Sequence, residues 1–345
     1  MEKNYVDFIF NDPNRICHDG ETLNGSVKLT VGDPIKVKEI LLKFRGMAKA
    51  SWNAGNVTYV SQQEYFNNVI KIVQKPQGQK EDITFQKGVY NYPFCIQLPE
   101  GIPASFEGLL GSVRYELEVT VVRSWSSNLS RIAPFTVLSE LNLNELPNVS
   151  RQMTATDEKT VCCLCCASGT ITATITTERQ GYVPGETIKF WAEIRNDSSR
   201  NIKYTKAKFI MKVVYHCKNE TVEEIHNLYK TKRQSIPPGR MDTWPEQRVL
   251  IPPLPPSFLL GCNIIDVKYF VSITAVPSGP ACSLVVPVEV IVGTIPILME
   301  GQTQRTYPQP DFRQYGIKRS GGFSPLYHYY NLDRSHTANN FDIVH

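Results

Sequence analysis

Apolar and polar residues alternate with period two along much of the chain. Val113, Tyr115, Leu117, Val119 and Val121 interleave with Arg114, Glu116, Glu118 and Thr120. Ile171, Ala173 and Ile175 interleave with threonines, and Ala207, Phe209, Met211, Val213 and Tyr215 mostly with Lys206, Lys208 and Lys212. Val27, Leu29 and Val31 repeat the pattern against Ser26, Lys28 and Thr30. On an extended strand this spacing turns one set of side chains to a core and the other to water. The best helical candidate, Pro103 to Leu110, reads as a loop with a single turn. Many short strands separated by Gly, Pro and Asn predict β-sandwiches.

The two halves repeat each other. Gly20-Glu21-Thr22-Leu23 matches Gly185-Glu186-Thr187-Ile188, and at the same offset Lys43-Phe44 matches Lys208-Phe209. Ser105-Phe106 followed by Arg114-Tyr115 parallels Ser257-Phe258 followed by Lys268-Tyr269. The repeat predicts two copies of one sandwich in tandem. The expected organisation is a first sandwich over residues 1–150, a hinge over 151–166, a second sandwich over 167–298, and a flexible, mostly irregular tail over 299–345 rich in Tyr, Gly, Ser and Asn.

Composition narrows the class without naming an activity. The chain has 345 residues, 41% hydrophobic and 20% charged, an ordinary globular balance. A net charge of +4 is too small to argue for nucleic acid. The apolar cluster Val6 to Phe10 carries Asp7 and is too short for a signal peptide. The uncharged run between Lys268 and Glu289 is long enough to span a membrane, but Pro277, Pro280 and Pro287 make it a hairpin. A soluble, cytoplasmic protein is expected, its nine cysteines reduced.

Three segments carry a family resemblance. GVYNYPFCIQLPEGIPASFEGLLGSVRYELEVTVVRSW (Gly88 to Trp125) resembles the core of an arrestin N-domain of the arrestin-domain-containing, or α-arrestin, family. CCLCCASGTITATITTERQGYVPGETIKFWAEIRN (Cys162 to Asn196) resembles the opening of the matching C-domain, and GCNIIDVKYFVSITAV with VIVGTIPI its end. The resemblance implies an all-β fold of two tandem immunoglobulin-like arrestin sandwiches. It also implies a non-enzymatic cytoplasmic adaptor for trafficking, endocytosis or ubiquitination. Such an adaptor binds cytoplasmic segments of membrane proteins and ubiquitin ligases, with peripheral association at plasma membrane or endosomes. The alternatives are a subunit of a stable, retromer-like sorting coat and a thiol-dependent redox regulator.

No GxSxG, HExxH, P-loop or helix-opening GxGxxG motif occurs, and the six histidines suggest no acidic partner, so no catalytic residue, cofactor or metal is assigned. Cys162, Cys163, Cys165 and Cys166 are too closely spaced to wrap one zinc ion. They read as a small packing segment at the hinge or as an S-acylation site. Cys262 reads as a buried thiol or as a reactive one able to form a mixed disulfide. Pro255-Pro256-Ser257-Phe258 reads as a structural loop, because Pro103-Ala104-Ser105-Phe106 repeats it. The family's ligase-recruiting Pro-Pro-x-Tyr motif is absent: Pro308-Gln309-Pro310 and Ser324-Pro325-Leu326-Tyr327 come near it but lack the proline pair. Phe323, Pro325, Tyr327, Tyr329 and Tyr330 form an aromatic tail segment suited to docking on a partner or on the chain's own domains. Lys206, Lys208 and Lys212, with Lys36, Lys38 and Lys43, lie on outer strand faces that are either simply solvated or basic patches for a membrane surface or phosphorylated cargo.

Overall fold

A computed structural model describes residues 3–76, 78, 81–163, 166–298, 307–315 and 322–332, with the backbone alone for 162, 163 and 166–168. The first half holds β1 (Tyr5–Phe10), β2 (Ile16–His18), β3 (Thr22–Val31), β4 (Ile35–Ala54), β5 (Val57–Gln74), β6 (Ile83–Phe85), β7 (Gly88–Gln97), β8 (Phe106–Glu107), β9 (Gly111–Arg123) and β10 (Leu129–Leu138). One sheet has the order β1-β3-β7. The other runs β2-β10-β9-β4-β5, with β6 paired to β4 and β8 to β9. Val27 and Leu29 of one sheet and Leu42, Leu117 and Val121 of the other are buried, as period-two alternation demands of facing sheets.

The second half repeats the plan with β11 (Met153–Cys163), β12 (Cys166–Thr177), β13 (Gly181–Tyr182), β14 (Thr187–Asn196), β15 (Ile202–Cys217), β16 (Glu220–Arg233), β17 (Arg240–Leu250), β18 (Ile265–Pro277) and β19 (Leu284–Val292). Its sheets have the orders β11-β12-β14-β17 and β13-β19-β18-β15-β16. In each copy a short strand pairs in parallel with the last strand, β2 with β10 and β13 with β19.

The repeated Ser-Phe and Tyr positions do the same work twice. The Tyr115 hydroxyl donates to the Pro103 carbonyl at 2.7 Å, and the Tyr269 hydroxyl donates to the Pro255 carbonyl at 2.7 Å. Ser105 Oγ accepts from the Val137 amide at 2.9 Å, and Ser257 Oγ accepts from the Val292 amide at 2.9 Å. Both prolyl loops are thereby tied across the sandwich, and otherwise unpaired buried groups are satisfied.

Three sequence expectations meet a different structure. Residues 153–163, expected in a hinge, form β11, an edge strand of the second sandwich. Thr154 and Thr156 pair their hydroxyls with Thr176 and Thr174 of β12 at 3.0 and 2.9 Å. The link between sandwiches is instead residues 139–152, which hold one 3-10 turn, Leu143–Glu145, and are tied to the end of the second sandwich. There the Leu141 amide donates to Thr294 Oγ1 at 2.8 Å, and the Leu298 amide to Asn144 Oδ1 at 2.9 Å. Residues 103–110 hold the two-residue β8 in place of a helical turn, since Phe106 and Glu107 pair with Val113 and Ser112. In the tail, β20 (Asp311–Gln314) and β21 (Leu326–Tyr329) pair as an antiparallel ribbon, so these stretches are ordered and not irregular.

The uncharged run before Glu289 forms the β18–β19 hairpin, turning at Gly279 with φ +78°. Among the described residues no helix is long and apolar enough to cross a membrane.

Candidate functional site

The residues that set the two sandwiches against each other come mainly from β5, the β8–β9 turn and the start of β16. Ser61 Oγ donates to the His216 carbonyl at 2.7 Å. Gln63 brackets the loop before β18: its Nε2 donates to the Gly261 carbonyl at 2.9 Å, and its Oε1 accepts from the Asn263 amide at 2.8 Å. The centre of the seam is the buried carboxylate of Glu224. It accepts from the Leu109 amide at 2.8 and 3.0 Å, from the Tyr215 hydroxyl at 2.5 Å, and bonds the His226 ring. Burial opposes the charged form, yet the His226 and Tyr215 hydrogen bonds hold the carboxyl below its ordinary range. Gly108 lets the domains approach this closely, because a Cβ there would stand 2.0 Å from the Tyr215 hydroxyl.

The tail ribbon closes the same junction from another side. Tyr327 buries its ring, 3% exposed, and donates its hydroxyl to the Ser105 carbonyl of the first sandwich at 3.1 Å. The Leu326 amide donates to Thr136 Oγ1 at 3.3 Å. Tyr330 is held by the second sandwich: its amide donates to the Pro184 carbonyl at 2.9 Å and its hydroxyl to the Thr294 carbonyl at 2.7 Å. Tyr307 donates to Glu186 Oε1 at 3.1 Å and packs edge-on against Tyr330. Burial pushes the Tyr330 phenol up to about 12, the nearby carboxylates Glu186 and Glu140 adding to it. His328 is buried beside His18, with ring centroids 5.8 Å apart, and burial followed by the His18 charge lowers it to about 4. The ribbon therefore bridges both sandwiches.

The sequence-derived candidates fall in several places. Tyr327, Tyr329, Tyr330 and Pro325 are buried against the chain's own domains, and Phe323 is half-buried. Cys163 and Cys166 face each other at the turn of the β11–β12 hairpin, with Cys162 opposite Ala167; Cys165 lies outside the described residues. Cys262 is half-buried in the seam, in the loop before β18, where its thiol adds to the burial that raises the Tyr65 phenol. Lys36 and Lys38 are exposed at the start of β4, whereas Lys43 lies opposite Glu118. Lys206, Lys208 and Lys212 line the outer face of β15, and Lys212 pairs with Glu223 at 2.6 Å.

Sequence reasoning missed Glu224, Gln63, Lys230 and Lys232. Alternate lysines in Lys230-Thr231-Lys232 were the available sign for the last two. Glu224 had none, since it reads as half of an ordinary Glu223-Glu224 surface pair.

Comparison with known proteins matches this architecture. The family model described as "Arrestin (or S-antigen), N-terminal domain" matches residues 6–144, and "Arrestin (or S-antigen), C-terminal domain" matches residues 167–297. Arrestin domain-containing protein 4 of Mus musculus is 31% identical over 302 residues, covering 84% of this chain and 71% of the relative. Arrestin domain-containing protein 17 of Caenorhabditis elegans is 27% identical over 310 residues, covering 85% of this chain and 71% of the relative. Arrestin domain-containing protein 1 of Mus musculus is 27% identical over 279 residues, covering 81% and 61%. Two repeated sandwiches tied by Tyr115 and Tyr269, with both family domains matched in order, place the chain in the arrestin-domain family.

Proposed function

We propose that the chain is a cytoplasmic adaptor that binds cytoplasmic segments of membrane proteins and hands them to sorting or ubiquitination machinery. It works by surface complementarity and carries no reaction centre. The observation that supports this most is that, among the described residues, each sandwich has a long strand paired with another on one side only, β5 in the first and β16 in the second, whose other edge is open beyond the seam residues Ser61, Gln63 and Glu224. Unpaired backbone donors and acceptors along such an edge are a template for an extended partner segment. β5 adds exposed Val57, Val60, Val69 and Ile70, apolar side chains that such a partner covers. Its location at plasma membrane or endosomes follows from its cargo.

The test is affinity purification of the tagged full chain from detergent-solubilised cells, with soluble cytoplasmic peptides of the recovered proteins as competitors. The expected outcome is recovery of membrane proteins that those peptides displace. Recovery of no membrane protein, ligase or coat component overturns the reading.

A further inference from the structure

The outer face of the β13-β19-β18-β15-β16 sheet carries an unbalanced block of charge. Lys206 lies directly opposite Lys232, and Lys208 directly opposite Lys230. Residues opposite one another on antiparallel strands share a face, with Cβ atoms about 4.5–5.5 Å apart, and like charges there are destabilising. The Lys232 ammonium stands 3.8 Å from the Tyr204 ring centroid, which holds it over the same face. Among the described residues none of these four lysines pairs with a carboxylate, whereas Lys212 pairs with Glu223 and Lys268 with Asp266 further along the sheet. On the other side of Lys208 and Lys206, β18 offers only Ser272 and Thr274. Burial, then Lys206 and Lys230, hold the Lys208 ammonium below the usual lysine range. Among the described residues the block thus lacks counter-charge, whereas Lys212 and Lys268 further along the sheet have it.

The block borders an open edge. Among the described residues the only strand paired with β16 is β15. The first sandwich touches β16 at Glu224, and the lysines lie beyond the β-bulge between Phe209 and Ile210. A strand added to β16 would lie about 4.8 Å away, with same-face side chains roughly 6.6–6.8 Å apart along it. That is the spacing of Lys230 and Lys232 along their own strand.

We propose that the outer edge of β16 binds an extended segment of a partner protein with carboxylate side chains at alternate positions, which pairs with the edge as an added strand and sets its carboxylates over the lysine block. The proposal rests on the adaptor reading and names the chemistry of one segment the adaptor takes. A peptide fits better than an anionic bilayer. Glu223 and Asp266 both lie opposite Val214, on this same face, and a membrane laid across the sheet would meet them too. Lipid headgroups also make no use of a row of backbone donors.

The experiment is fluorescence polarisation with the full chain and a short labelled peptide carrying Glu at alternate positions between Thr and Val. The double variant Lys230→Ser/Lys232→Ser is expected to weaken binding at least about tenfold, as is replacing each Glu of the peptide by Gln. Methylating the peptide's alternate backbone nitrogens is expected to abolish binding in one register and spare it in the other. The serine variant is expected to melt no lower than the parent, because it relieves like-charge repulsion. Lys230→Glu/Lys232→Glu is expected to exchange preference to the matching Lys peptide. Equal binding by parent and serine variant, or no effect of methylation in either register, overturns the proposal. So does lysine-dependent binding to phosphatidylserine vesicles with no binding to the peptide. If cells yield no membrane-protein cargo while this peptide binds as described, the adaptor reading falls and the edge site stands. If cargo is recovered and the peptide is ignored, the reverse holds.

Discussion

Gly20-Glu21-Thr22 and Gly185-Glu186-Thr187 occupy equivalent places in the two sandwiches, but they face different surroundings. In each, the glutamate carboxylate accepts from a backbone amide three residues earlier, His18 at 3.0 Å and Val183 at 2.8 Å. In each, the glycine holds a positive φ, +73° and +97°. Glu21 is exposed, whereas Glu186 is buried with Arg179 at 2.7 Å and the Tyr307 hydroxyl at 3.1 Å. The tail explains the difference, because it covers the second turn. Duplication conserved the backbone device, and the ribbon turned one copy into a docking point.

The deepest test of the duplication is to remove its shared anchor from each copy. Tyr115→Ala and Tyr269→Ala each delete a fully buried ring and a hydrogen bond. Each should cost about 3–5 kcal/mol by urea unfolding of the full chain. A loss below about 1 kcal/mol in one copy would show that the anchors are not equivalent.

The paired glutamates should then diverge. Glu186→Gln removes the partner of a largely buried Arg179 and should cost about 1–3 kcal/mol, discounted for the part of Arg179 that meets solvent. Glu21→Gln should change the melting temperature by no more than about 0.5 kcal/mol implies. Equal losses would erase the distinction drawn from the tail.

The glycines separate more finely. Both substitutions to alanine strain a positive φ by about 1–2 kcal/mol. At Gly185 the new Cβ would also stand 2.0 Å from the Tyr330 carbonyl oxygen, while at Gly20 the nearest atom is the flexible Glu100 Cγ at 2.9 Å. Gly185→Ala alone should speed hydrogen exchange at Leu326 to Tyr330. Similar exchange in both variants would detach the tail from this turn.

Near neutrality the smallest effect is that of pH. His328 falls to about 4 when docked, from an ordinary value of 6.5, so the docked ribbon binds fewer protons than a released one. Docking is therefore fully supported above about pH 6.5 and weakens as the pH drops from there toward 4. Protection factors at the ribbon amides, with exchange corrected for its intrinsic pH dependence, should fall as the pH drops through that window in the parent and hold steady in His328→Gln, provided the variant docks.

Much of this architecture was legible in the sequence because its strands have one wet face. Tyr115 and Tyr269 announce themselves by position in matching alternating runs. Strand β11 escaped because Met153 and Ala155 are only partly buried, Val161 is buried at the bulge between Thr160 and Cys162, and the stretch between them is Thr, Asp, Glu and Lys. The ribbon escaped for the opposite reason: Tyr327, His328, Tyr329 and Tyr330 are all buried, so no period of two survives. Facing of Lys206 by Lys232 is a matter of register, and register is set between strands, not along one.

The Tyr327 hydroxyl meets a carbonyl 222 residues earlier, and the Leu326 amide meets a threonine 190 residues earlier. During synthesis, chain leaves the ribosome at about 5–20 residues per second and domains fold as units from the N-terminal side. Ser105 and Thr136 are thus in place long before the ribbon exists to cover them. The nascent protein passes through a stage with two folded lobes and an uncovered junction, and the ribbon, made after both lobes, is the segment that covers it.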